Sequence, residues 1–202
     1  MAWGKAGSTT LTSAGDALTQ STISNSNTYI YLYHAIPTGG ELTEYMTMGS
    51  GGTKDTGNNY SNRVNTNGAS SDSEFFSRAN IVNASKSGAT KPEFGIGYGV
   101  NLEYEEKLIM TYHSNVSSAG AGTAPDRNEQ AGKHKQVSAV LDTISFDNTG
   151  SGDFAVGSTL CVLGSDLTPV AAASVTVSDG AIFYETDTNK EYILYNNTWT
   201  EV

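Results

Sequence analysis

Cysteine occurs once in the 202 residues, at Cys161, so the chain has neither an intrachain disulfide framework nor a multi-cysteine metal site. Basic residues are also scarce. Eleven Lys and Arg face 21 Asp and Glu, for a net charge of −10, and such a surface repels phosphate and anionic lipid. The one basic run, Lys133-His134-Lys135, is too short for an electrostatic footprint, so neither nucleic acid nor a membrane is an expected partner. No stretch approaches the ~18 consecutive apolar residues of a membrane-spanning helix. The opening Met-Ala-Trp-Gly-Lys carries no apolar leader, and the expectation is synthesis in the cytoplasm. Apolar residues, at 37%, fall below the usual ~45–50%, and charged residues, at 16%, below the usual ~25%. What fills the difference is small and uncharged, with 22 Gly among it, while 11 Tyr, 6 Phe and 2 Trp separate the chain from disordered sequences.

The pattern that is present has a period of two. Tyr29-Ile30-Tyr31-Leu32-Tyr33-His34-Ala35-Ile36 places three tyrosines on one face and Ile30, Leu32 and Ile36 on the other, which predicts a strand. Pro37-Thr38-Gly39-Gly40 ends it, and Glu41 to Met48 resumes a weaker strand. Residues 49–74 are nearly all Gly, Ser, Asn, Asp and Thr, broken by Tyr60 and Val64, and read as long surface loops. Residues 74–83 read as a strand. In Phe94-Gly95-Ile96-Gly97-Tyr98-Gly99-Val100 every second residue is glycine, which implies close approach by another sheet or chain on that face, or a strongly curved strand. Lys107 to His113 reads as a buried strand, Val137 to Phe146 as another, and Ser158 to Leu163 as a short strand apolar on both sides, with Cys161 a small buried hydrophobe.

Short strands separated by turns every 8–12 residues predict an all-β protein. The expected architecture is an antiparallel β-sandwich, jelly-roll-like, over residues 1–166. An uncharged connector follows at 167–178, and a C-terminal β-hairpin with a third short strand at 179–202. A unit of that size is too small to be stable alone in water, so it is expected to act as an assembly element through Phe183, Tyr184, Tyr192 and Trp199.

Catalytic signatures are sparse. His34 and His113 could meet across paired strands, but no metal-binding motif frames them. Glu103, Glu105, Glu106, Asp126 and Glu129 supply carboxylates of the kind a glycosidase uses, without a spacing that distinguishes a pair. Asp147-Asn148-Thr149-Gly150-Ser151-Gly152-Asp153 offers oxygen ligands for calcium or, more simply, turn chemistry. No nucleophile elbow or phosphate-cradling loop occurs, and neither enzyme activity nor a cofactor nor a metal is expected. Tyr29, Tyr31 and Tyr33 suit three roles: a wall of the core, a subunit interface, or a platform stacking on sugar.

Three stretches resemble small virion structural proteins of marine tailed bacteriophages. The first is Lys5 to Leu18, containing Leu11-Thr12-Ser13-Ala14-Gly15-Asp16; the second is Asn148 to Leu160 with Val162-Leu163-Gly164. The third, Gly180 to Thr188 with Lys190, Tyr192 and Trp199, is similar to a terminal hairpin found on phage head and tail proteins. The resemblance implies a place in the virion and brings no catalytic residues with it. The expectation is a capsid decoration or cement protein that binds the major capsid protein and its own copies, as a trimer. The alternative is a tail or spike module recognising host-surface glycan.

Overall fold

The computed structural model describes residues 3–87, 92–116, 118, 120–136, 138–165, 179–185, 189–196 and 198–202, and every regular element among them is a β-strand. The chain divides into two compact units, Met1–Leu167 and Thr168–Val202. The expected connector lies outside the described residues.

In the first unit the strands begin with β1 (Trp3–Thr10), β2 (Ala17–Gln20), β3 (Thr28–Ala35), β4 (Pro37–Thr38) and β5 (Leu42–Ser50). They continue with β6 (Thr53–Lys54), β7 (Tyr60–Thr66), β8 (Ser73–Arg78), β9 (Ile81–Ser87) and β10 (Glu93–Val100). Then come β11 (Lys107–Asn115), β12 (Asp126–His134), β13 (Thr143–Asn148), β14 (Asp153–Phe154) and β15 (Thr159–Ser165). An eight-stranded sheet runs in the order β1-β15-β3-β10-β11-β12-β7-β8, and a second sheet runs β2-β13-β5-β6 with β9 also paired to β5. The ladders are antiparallel, so the unit is the expected all-β antiparallel sandwich.

The core forms where β3 faces β13. Tyr33 stacks on Phe146 with ring centroids 4.1 Å apart, and Tyr31 meets the same ring edge-on at 5.5 Å. Leu18, Leu42, Met46, Leu160 and Val162 close around them, each buried. Burying side chains of this size contributes about 1.5–3 kcal/mol apiece.

One expectation about loops is corrected, and the turn reading of another is favoured. Residues 49–74 contain β6, β7 and the start of β8, with Tyr60 and Val64 buried. β7 escapes the alternation rule because a polar residue, Asn62, points inward with them and donates to Gln130 Oε1 of β12 at 3.0 Å. Asp147 to Asp153 forms a clasp: Asn148 Oδ1 accepts from the Thr43 and Gly150 amides, both at 2.8 Å, and its Nδ2 donates to the Gly152 carbonyl. That oxygen is taken by the backbone, which favours the turn reading of this loop over a calcium ligand set.

The second unit is a three-stranded antiparallel meander of β16 (Ile182–Glu185), β17 (Lys190–Tyr195) and β18 (Thr198–Glu201). Asn196, at a φ of 53°, supplies the left-handed backbone of the turn between the last two strands.

Candidate functional site

The tyrosine strand and the glycine strand explain one another. β3 pairs with β10, setting Tyr33 opposite Gly95 and Tyr31 opposite Gly97. A Cβ on Gly95 would come within 2.0 Å of the Tyr33 ring, and one on Gly97 within 2.2 Å of the Tyr31 ring. The two rings lie over the glycines, and each is 1% exposed. Tyr29 is buried beside them, its hydroxyl donating to the Ser24 carbonyl at 3.0 Å. Of the three roles open to Tyr29, Tyr31 and Tyr33, the core wall is the one they fill. As interface or sugar platform they are corrected, since all three point inward and no partner can reach them.

Below these rings sits a buried polar cluster that sequence reading missed. The Tyr33 hydroxyl donates to Glu44 Oε2 at 2.6 Å and also contacts Glu93 Oε1, while His113 Nδ1 lies 3.0 Å from the Tyr33 oxygen and 3.1 Å from Glu93 Oε1. Burial first, and then the two carboxylates, hold the Tyr33 hydroxyl well above its ordinary 10.0, so it stays a donor. Glu44 and Glu93 are fully buried and His113 nearly so. Such a cluster ties β3, β5, β10 and β11 together but offers no surface to a substrate. His34, on the outer side of β3 and exposed, does not meet His113, because β10 separates them and their side chains leave opposite faces.

With glycine turned inward, the large residues of β10 turn outward. β11 does the same: Lys107, Ile109, Thr111, His113 and Asn115 are buried, whereas Leu108, Met110 and Tyr112 face away from the core. This corrects the reading of Lys107 to His113 as a buried strand. The side chains are substantially exposed, Phe94 by 52%, Tyr98 by 46%, Leu108 by 56%, Met110 by 53% and Tyr112 by 42%. Cross-strand register makes them continuous. Tyr98 lies between Ile30 and Met110, and Ile96 between Leu32 and Tyr112. On the far side, Leu32 and Ile30 pair with Cys161 and Leu163 of β15, so Cys161 is a half-buried member of this outer face rather than a core residue.

A charged rim borders the apolar centre where β12, β7 and β8 follow. Lys133 pairs with Glu106 at 2.8 Å, Arg127 with Glu129 at 3.3 Å, and Arg63 with both Glu74 and Asp72. Glu106 and Glu129, weighed from sequence as catalytic acids, are spent in these surface pairs, and Glu103 and Glu105 are exposed in the loop before β11. Shallow grooves of about 300 and 210 Å³ mark the boundary; Arg63 lines both, with Leu108 and Phe76 in one and Met110 and Tyr112 in the other. Single exposed apolar residues are ordinary. A contiguous apolar field across several strands marks an interaction site.

In the second unit, Phe183, Tyr184 and Trp199 are exposed and Tyr192 is half-buried. Phe183 lies 6.2 Å from Tyr192 and 6.0 Å from Trp199, ring centroid to centroid, so three of the four predicted contact residues form one aromatic group. Tyr184 instead donates its hydroxyl to Asn189 Oδ1 at 2.9 Å. Compared with known proteins, the chain matches no family model, no curated protein and no solved structure.

Proposed function

We propose that this chain is a non-enzymatic structural component of a tailed-phage virion. It acts as a decoration or cement protein that binds the major capsid shell and joins its own copies, stabilising the particle by covering apolar surface. The observation that carries this reading is the outer face of the eight-stranded sheet, where Phe94, Tyr98, Leu108, Met110 and Tyr112 stand together in water. A face of that kind gains free energy when another protein covers it. The aromatic group of Phe183, Tyr192 and Trp199 supplies a second apolar contact in the hairpin that resembles phage terminal elements. Branched and thioether side chains such as Leu108 and Met110 favour a protein partner over a sugar, which needs hydrogen-bonding groups around an aromatic ring. The burial of Glu44, Glu93 and His113 supports a structural role for those groups as well.

Particles produced without this protein are the test. They are expected to release their genome at lower temperature and after less dilution of salt than complete particles, and added protein should restore them. Particles indifferent to its absence would refute the cementing role.

A further inference from the structure

We infer that the outer face of the eight-stranded sheet is covered by the same face of a second copy of this chain. The inference deepens the reading above, because it takes the face as an assembly surface and names what seats on it.

Area is the first argument. Large side chains present roughly 150–250 Å² each, so Phe94, Tyr98, Val100, Leu108, Met110 and Tyr112, each about half exposed, offer on the order of 600 Å². Ile30, Leu32 and Ile96, partly exposed between them, bring the field toward the ~800 Å² per partner of a standard stable interface. A sheet face presents this area as one layer, and sheets pack face to face at about 10 Å when both inner layers are apolar. The surface that matches a single apolar layer of this width is another such layer.

Charge is the second. The chain carries a net −10, so two copies repel over most of their surfaces. On the outward positions of β3, β10 and β11 there is no Asp, Glu, Lys or Arg at all, because the charged residues of these strands, Glu93 and Lys107, are buried on the inward side. The rim beside them mixes signs, with Arg63, Arg127 and Lys133 already paired to Asp72, Glu74, Glu106 and Glu129. A mixed rim tolerates its own copy, whereas a partner of one strong charge would meet like charge along part of it. This is therefore the face on which association of two acidic chains costs least.

One face meeting its own copy has two-fold symmetry, with each residue contributing twice. The pair takes the place of the trimer expected from the sequence.

Sedimentation of the full chain over a range of concentrations tests this. A concentration-dependent dimer is expected, and Leu108→Lys combined with Met110→Lys should weaken its dissociation constant roughly a hundredfold or more, because two buried charges per copy enter an apolar seam. A chain that remains monomeric at millimolar concentration overturns the inference, and so does a dimer indifferent to the two substitutions. A second readout needs no variant: peroxide oxidation of Met110 in the unaltered chain should slow as concentration drives dimerisation, and an unchanged rate in the dimer overturns the inference equally. Failure here is separable from failure of the particle role, since a strictly monomeric chain that still protects particles removes only the second copy.

Discussion

The Tyr33 ring occupies the space in which a side chain on Gly95 would stand; a Cβ there would lie 2.0 Å from the ring. The same holds for Tyr31 over Gly97, at 2.2 Å, but not for Gly99, whose nearest neighbour is 3.5 Å away. A bulky ring and an absent side chain are thus two halves of one packing solution across the β3–β10 ladder.

Gly95→Ala and Gly97→Ala should each destabilise the protein by about 1–3 kcal/mol through overpacking against backbone-anchored rings. Gly99→Ala should cost well under about 1 kcal/mol. Urea midpoints for the three variants check this ordering, and equal effects would show that the rings yield.

Tyr33→Phe keeps the stacking on Phe146 and removes the hydroxyl that joins Glu44 and Glu93. Because two fully buried carboxylates lose a donor, the expected cost is about 3 kcal/mol, larger than the ~1 kcal/mol of an ordinary hydrogen bond. Tyr29→Phe, whose hydroxyl meets backbone carbonyls, is the comparison and should cost about 1 kcal/mol.

Stability should fall as pH drops below 6.5. His134 is buried against Tyr60, and burial holds its imidazole below the ordinary 6.5, with Lys107 and Lys135 acting the same way and the bond to Asp55 at 2.8 Å opposing. The unfolded chain then takes up a proton near pH 6.5 that the folded chain refuses until lower pH, so stability is complete above that value and declines below it. At Asp55, burial raises the carboxyl, but donors on Asn59, Gly57 and His134 outweigh it and hold it below 3.8, which adds a further loss in stronger acid. In His134→Gln the difference between urea midpoints at pH 8 and pH 5.5 should shrink; an undiminished difference would assign the dependence elsewhere.

Asn148→Ala should open the clasp between the β13 end and the Glu41–Thr43 segment, leaving the Thr43 and Gly150 amides without their acceptor. A loss of about 2 kcal/mol is expected, together with faster hydrogen exchange at those two amides.

Strand content and the sandwich were legible because Tyr29 to Ala35 alternates strictly and Gly95, Gly97 and Gly99 announce a close approach. What alternation could not tell was which face turns inward. The usual rule sends Phe94, Ile96 and Tyr98 to the core, yet the rings of Tyr31 and Tyr33 need the room that only glycine leaves, and the rule inverts. β11 and β7 depart from expectation for a related reason: polar residues stand among their inward positions, as with Asn62, which donates to Gln130 across the sheet. The Glu44–Glu93–His113 cluster leaves no local mark, since its members lie on three strands far apart in sequence. The hairpin aromatics were legible as a group because they fall within 17 residues of one another, Phe183 to Trp199.

Parity along β10 has a consequence for how this polypeptide tolerates change. Odd positions 95 and 97 touch the interior, and even positions 94, 96 and 98 touch the outside. In a random library over this segment, clones altered at odd positions should drop out by failing to accumulate as soluble material, whereas clones altered at even positions should persist and differ in what they adhere to. Neighbouring codons therefore answer to separate demands, and the adhesive character of the strand can be rewritten without disturbing its scaffold.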